Sequence, residues 1–328
     1  MKILQISKYY LSPQHIFKKV SNIKEGIFME YPRESNCESS TNLNINLIKS
    51  AMETQTIICS KALVYEKDVG LHFNLGGFEA IMPNDEVIYS PTNKTVKEAA
   101  VATRVNKNVC FVITKIDPSP IRPVIYVSRR KVQKEVYENY ISTLSCGDVI
   151  KCTITHVDSF GVFCDVGYGV NALLPIDFIS VSRINSPSDR FYEGQDIYAC
   201  VKSIDCDGRI VLTHKELLGT WLENAALFAP MSTTVGIVRS IENYGIFIEL
   251  MPNLAGLAEV CDGVEVGDVV NVYIKSILPD KMKVKLVIMS TLKNFETNTK
   301  IRYFIKDGHI NSWHYSTPES RKSISTIF

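Results

Sequence analysis

Two stretches of this chain carry aromatic rings where a half-buried strand would carry polar groups. In SFGVFCDVG (159–167), Val162, Cys164 and Val166 alternate with Phe163 and Asp165. The solvent side of such a strand then holds Phe163 together with Asp165, and Phe160 stands just before the turn glycine Gly161. NYGIFIELM (243–251) repeats the order with Tyr244, Gly245, Phe247 and Glu249. Planar bases stack on exposed rings with little regard to their identity, at about 1–3 kcal/mol per base. The ordinary alternative is a ring packed under a neighbouring loop or against the next domain. Recurrence of the pair, each time with a carboxylate two residues on, favours a stacking surface.

Other chemistry is sparse. The six histidines are His15, His72, His156, His214, His309 and His314. His309 and His314 bracket a short segment but have no cysteine or acidic partner at metal spacing. The chain has neither a glycine-rich phosphate loop nor a G-x-S-x-G elbow. Asp205 and Asp207 fall in DCDG, where Asp and Gly serve turn geometry better than a magnesium site. The basic trio Arg129, Arg130 and Lys131 is open to two readings, a phosphate patch or a solvated helix start. The expectation is a non-catalytic protein with no metal and no cofactor.

The elements that must hold these rings come from an internal repeat. SFGVFCDVGYGVNALLP (159–175) lies over NYGIFIELMPNLAGLAE (243–259) without a gap, and GQDIYACVKSID (194–205) matches GDVVNVYIKSIL (267–278). The earlier copy carries an extra SVSRINSPSDR (180–190), which reads as a surface loop. A weaker third copy lies upstream, with VGLHFNLGGFEAIMP (69–83), VCFVITKID (109–117) and VIYVSRRK (124–131). Short alternating strands with glycine-marked turns predict a small β-barrel in each copy. Helical spacing is predicted over 130–144 (Val132, Val136, Tyr137, Ile141) and over 214–229 (Leu217, Leu218, Trp221, Leu222), with Pro230 as a stop. The predicted organisation is an N-terminal arm (1–43), partly disordered, a first barrel with its linker helix (44–144), a second (145–230), a third (231–291) and a tail (292–328).

Bulk properties fit an ordinary globular protein of 328 residues, 45% hydrophobic and 22% charged, with a net charge of +1. Charge is uneven: 147–218 holds ten acidic against six basic residues, and 44–140 holds thirteen basic against ten acidic. Any anion site is therefore local. The nine cysteines include no C-x-x-C pair, and Cys152, Cys164 and Cys200 sit in strand-like runs as small hydrophobes. A reduced, cytoplasmic protein without zinc is expected. No run approaches the length of a bilayer span, and MKILQISKYY lacks the apolar core of a secretion signal.

The series GDVIKCTITHVDSFGVFCDVG, ALLP and DGRIVLTHKE resembles the S1 RNA-binding domain family, an OB-fold barrel. The resemblance spans about residues 44 to 290. It implies a mostly β chain of three tandem five-stranded OB barrels joined by short helices. It further implies that Phe160 and Phe163, with Asp205 and Arg209, form the nucleic-acid surface of the second repeat. The family's histidine position falls on Pro175. In the third repeat Tyr244 and Phe247 match the rings, Glu259 replaces the histidine, Asp280 lies near the aspartate position, and Lys283 or Lys285 stands for the arginine. The first repeat departs most, with Val69 and His72 at the ring positions and Val124 where Arg209 would be. The tail IRYFIKDGHINSWHYST (301–317) resembles that of compact multi-repeat bacterial members and is expected to turn at Asp307-Gly308 into a hairpin on the last barrel.

The resulting expectation is single-stranded RNA held across the second and third barrels, stacked on the four rings, with Lys202, Arg209, Arg239, Lys275 and Lys283 near its backbone. The implied setting is translation, with messenger RNA at the small ribosomal subunit. A regulator of RNA stability off the ribosome has the same features. A protein-interaction scaffold, with the aromatic faces as inter-domain or partner contacts, remains the alternative.

Overall fold

The computed structural model describes residues 31–39, 43–92, 97–118, 123–292 and 301–328. Its chain is mostly β and carries the same five-strand circuit three times, twice as a closed barrel and once with a broken strand. The arm expected to be partly disordered lies outside the described residues up to residue 30. Two units are distinguished, one mainly 37–89 and 95–134, the other mainly 135–328 with 31–36.

In the first unit α1 (Ile45–Glu53) starts at Asn44, whose side chain accepts from the Leu47 amide at 2.9 Å. Its buried face presents Ile48 and Ala51 to a sheet of β1 (Ile58–Lys61), β2 (Val64–Glu66), β3 (Gly70–Leu75), β4 (Phe78–Met82), β5 (Asn108–Asp117) and β6 (Val124–Ser128). A short helix, α2 (Glu98–Ala102), precedes β5. The order β1-β5-β6-β4-β3-β2 leaves β1 and β2 at opposite edges, although only Ala62 and Leu63 separate them in sequence. They are the two halves of one barrel strand: the first half pairs with β5, the second with β3. The first of the three expected barrels is therefore open in its ladder at this break. Next comes α3 (Arg129–Asn139).

The second barrel is built from β7 (Val149–Asp158), β8 (Gly161–Asp165), β9 (Asn171–Pro175), β10 (Asp196–Ile204) and β11 (Ile210–Thr213), closed in the order β10-β11-β9-β8-β7. The third uses β12 (Thr233–Glu242), β13 (Gly245–Met251), β14 (Leu254–Ala258), β15 (Val269–Leu278) and β16 (Lys283–Thr291), closed as β12-β13-β14-β16-β15. In all three copies the third and fifth strands pair in parallel, β4 with β6, β9 with β11 and β14 with β16. The glycine after each first-ring position is required by close approach. A Cβ on Gly161 would lie 2.5 Å from the Leu174 carbonyl oxygen, and one on Gly245 would lie 2.7 Å from that of Ala258.

Three expectations about connections change. The helix expected over 214–229 is a 3-10 turn (Lys215–Leu218) and a short α4 (Trp221–Ala225), broken at Gly219. Gly219 has φ +82°, and a Cβ there would meet the Phe304 ring at 2.7 Å. Thr220 then restarts the helix through a capping box with Glu223. Residues 180–190 are not a simple surface loop: Val181 N donates to Asn253 Oδ1 at 2.9 Å, and the Arg190 side chain is only 4% exposed. In the tail, β17 (Ser312–His314) pairs with β18 (Ser325–Ile327), so the hairpin does not turn at Gly308. Instead the Gly308 carbonyl accepts from Val149 N at 3.0 Å, Ile310 N donates to Gly147 O, and Trp313 and Tyr315 join the core of the third barrel.

Asn253 ties these parts together. It is fully buried, its amide donates to the carbonyls of Lys215 and Gly219, and the Tyr315 hydroxyl donates to its carbonyl at 2.6 Å. The second and third barrels and the tail thus share one packed body.

Candidate nucleic-acid interface

The outer face of each closed barrel is built around the same pair of rings. Phe160 and Phe163 lie with centroids 6.0 Å apart at 88°, and Tyr244 and Phe247 lie 6.0 Å apart at 88°. Edge-to-face contact of this kind is a favourable ring geometry. The outer member is open to solvent, 49% exposed for Phe160 and 70% for Tyr244, while Phe163 and Phe247 are half-buried beneath them.

Register explains why these rings face outward and what stands beside them. Phe163 lies opposite Leu173 on β9, which lies beside Val211 on β11. Phe247 lies opposite Leu257 on β14, which lies beside Lys285 on β16. On the other side, β7 and β12 each carry a bulge one residue before the ring's partner, at Thr155 and Arg239. The bulge brings His156 opposite Phe163, with the rings 6.4 Å apart at 22°, and His156 Nδ1 lies 2.9 Å from a Glu193 carboxylate oxygen. His156 escapes a sequence reading because strict alternation from Cys152 and Ile154 would send it inward.

The two outer-face carboxylates are not bare, contrary to the alternation argument. Asp165 is fully buried under residues 31–36. Its Oδ1 accepts from Gly167 N at 2.8 Å and Gly169 N at 2.9 Å, and its Oδ2 accepts from Glu34 N at 2.8 Å. Burial, reinforced by the Glu34 carboxylate, raises Asp165 to about 6 against the pull of those donors and of Arg33. Glu249 is covered by the 180–190 insert. Both of its oxygens receive Arg190, at 2.5 and 3.0 Å, and Arg239 Nε donates at 2.8 Å.

The remaining sequence-named residues divide by what already holds them. Arg239, expected near the RNA backbone, has a side chain only 12% exposed and bound to Glu249 and to Asp189. Lys202 sits at the bulge of β10 with its ammonium 5.1 Å from the Phe328 ring centre, which commits it to the tail. Asp205 shapes the turn, its Oδ1 accepting from Asp207 N and Arg209 N. Arg209 is exposed and lies 3.3 Å from Asp207 and 4.0 Å from Asp205. Lys275 and Lys283 are exposed on the third barrel, as is Lys285. Of the basic trio, Arg129 is a buried side chain that donates to the Val87 carbonyl at 3.0 Å.

Among the described residues, the equivalent face of the first unit has no such ring pair. His72 stands where Phe163 and Phe247 stand, 3.1 Å from Glu79 and 3.5 Å from Glu66, and its exposed neighbours are Leu63 and Val64. This unit also corrects the cysteine expectation: Cys59 and Cys110 face each other across β1 and β5 and are disulfide-bonded. No sequence spacing announces that pairing; it follows from the strand register. Cys152, Cys164 and Cys200 are buried within the second barrel. No helix among the described residues is long and apolar enough to cross a membrane.

Residues 144–215 match the S1 RNA binding domain family. The chain is 31% identical over 199 residues to the small ribosomal subunit protein bS1 of Staphylococcus aureus strain COL, covering 56% of this chain and 50% of that protein. It is 28% identical over 197 residues to the bS1 protein of Leuconostoc lactis, covering 55% and 46%. The chain thus spans about half the length of the curated relatives it matches. A multidomain protein with nucleic acid binding domains from Streptococcus pneumoniae is similar at 14% identity and a TM-score of 0.24, covering 74% of this chain and 75% of that one. The second barrel is the part that matches the S1 RNA binding domain family, and the third repeats its strand order, its bulges and its ring pair.

Proposed function

We propose that this chain is a non-catalytic binder of single-stranded RNA, which it holds by stacking bases on Phe160 and Phe163 of the second barrel and on Tyr244 and Phe247 of the third. The observation that carries this is the recurrence of one ring pair, at one separation and one angle, on matching outer faces. Lys275, Lys283 and Lys285 supply backbone contacts on the third barrel, and Arg209 supplies one on the second, positioned by Asp205. Arg239 and Lys202 support the scaffold and do not touch RNA. Because both barrels belong to one packed body, a strand bound to the first pair meets the second at high effective concentration. The first unit contributes no stacking.

The proposed setting is translation in the cytoplasm, with messenger RNA held at the small ribosomal subunit. The likeness to bS1 proteins supports this. Fluorescence anisotropy of a short unstructured RNA tests the first part. Alanine at all four ring positions is expected to weaken binding by at least about a hundredfold, at 1.4 kcal/mol per tenfold. Unchanged affinity with lowered stability or altered oligomeric state would instead favour a scaffold. Co-sedimentation with small ribosomal subunits tests the second part, and RNA binding without it would point to a regulator acting off the ribosome.

A further inference from the structure

Three cysteines converge in the first unit, at a place the RNA surface does not use. Cys59 on β1 and Cys110 on β5 form the disulfide, and the Cys37 sulfur lies 3.4 Å from that of Cys110. All three sulfurs lie within 4.8 Å of one another. Residues 37–39 are held against the start of β5: Asn108 Nδ2 donates to the Cys37 carbonyl at 2.9 Å, and Ser39 Oγ donates to Asn108 Oδ1 at 3.1 Å. Cys110 is fully buried and Cys59 is 7% exposed, whereas Cys37 is half-buried. A disulfide is opened by a thiolate that reaches one of its sulfurs. Solvent has poor access to this one, while Cys37 touches both solvent and the bond.

We propose that this cluster is a thiol–disulfide exchange site through which small-molecule thiols act on the buried bond. Cys37 loses its proton to water, and its thiolate attacks Cys110 Sγ. A Cys37–Cys110 bond forms and the Cys59–Cys110 bond breaks, its electron pair leaving on Cys59, which takes up a proton. Nothing is oxidised or reduced overall in this step. A small thiol then attacks Cys37 Sγ, forming a mixed disulfide with Cys37 and releasing Cys110 as a thiolate. The neighbouring contacts keep the Cys37 sulfur beside Cys110, and with all three sulfurs within 4.8 Å of one another it has to swing toward the line of the Cys59–Cys110 bond before it attacks.

Full-length protein, wild type and Cys37→Ser, is incubated with reduced glutathione, quenched with acid, alkylated and mapped by mass spectrometry. The wild type is expected to show Cys37–Cys110 peptides, alkylated Cys59 and glutathione on Cys37. In Cys37→Ser, opening of Cys59–Cys110 is expected to slow by about tenfold or more, since its sulfurs are reached only from solvent. As a second arm, Cys59→Ser treated with oxidised glutathione is expected to trap Cys37–Cys110. Equal opening rates in wild type and Cys37→Ser would overturn the proposal. So would a reduced Cys110 in Cys59→Ser, or one equivalent of retained zinc with all three thiols shielded.

Discussion

The second and third barrels carry the same rings on different electrostatic ground. Around Phe163 the register brings His156, Leu173 and Val211, and the nearby Arg209 is engaged by Asp205 and Asp207. Around Phe247 it brings Ser240, Leu257 and Lys285, with Lys275 and Lys283 exposed on the same barrel. The carboxylate two residues on is also held differently. Asp165 receives three backbone amides, and Glu249 receives two guanidinium groups. Ring geometry therefore follows the shared backbone, its tight glycine and its bulge, while charge is set locally and varies between copies.

The largest difference should appear in stability. Glu249→Gln takes the shared carboxylate from largely buried Arg190 and Arg239, of which Arg239 keeps Asp189, and is expected to cost about 3–5 kcal/mol in chemical denaturation. Asp165→Asn removes acceptors for backbone amides and the attraction to Arg33, and should cost about 1–3 kcal/mol at neutral pH. Equal losses would mean that the two covers work alike.

Next in size is the contribution of each ring pair to RNA binding. Phe160→Ala with Phe163→Ala, and Tyr244→Ala with Phe247→Ala, should each weaken binding about 10- to 100-fold by anisotropy. A loss confined to one barrel would break the equivalence.

Acid titration sharpens the contrast further. Between pH 3.8 and about 6 the folded protein keeps the Asp165 proton that the unfolded chain has released, so this group's stabilisation is full at the acid end and fades as pH rises. His214 acts in the opposite sense. Burial lowers it from 6.5 to about 4, so its contribution is full above 6.5 and is lost as pH falls. Asp165→Asn should therefore lose stability more steeply than wild type on acidification from pH 6 to 4. Parallel urea midpoints over that range would contradict the assignment.

The smallest effect is on salt dependence. The overall slope is expected to be shallow, because stacking outweighs phosphate contacts. Alanine at Lys283 and Lys285 should reduce it by at most about 0.7 per lysine, and Arg209→Ala by less. A steep slope in the wild type would show that phosphates dominate.

The rings and the repeat were legible because each copy spans a short, ungapped stretch with its own glycine and alternation. His156 was not, because a single inserted residue at Thr155 reverses the face of everything after it. Asp165 and Glu249 do lie on the outer side, as alternation requires. Their covers come from residues 31–36 and 180–190, about 131 and 59 positions away, and no local pattern carries that information. The broken helix at 214–229 has a visible cause in Gly219, but the Phe304 ring that fills the space beside it lies far along the chain. Cys59 and Cys110 are separated by 51 residues and meet only through the β1–β5 register.

The pairing of Gly147 and Val149 with Ile310 and Gly308 bears on how the protein is made. The strand that opens the second barrel emerges from the ribosome about 160 residues before its partner, which at 5–20 residues per second is a wait of roughly 8–30 s. During that interval the Gly147 carbonyl and the Val149 amide stand open to water on a barrel whose own five strands already close, and the tail covers them last.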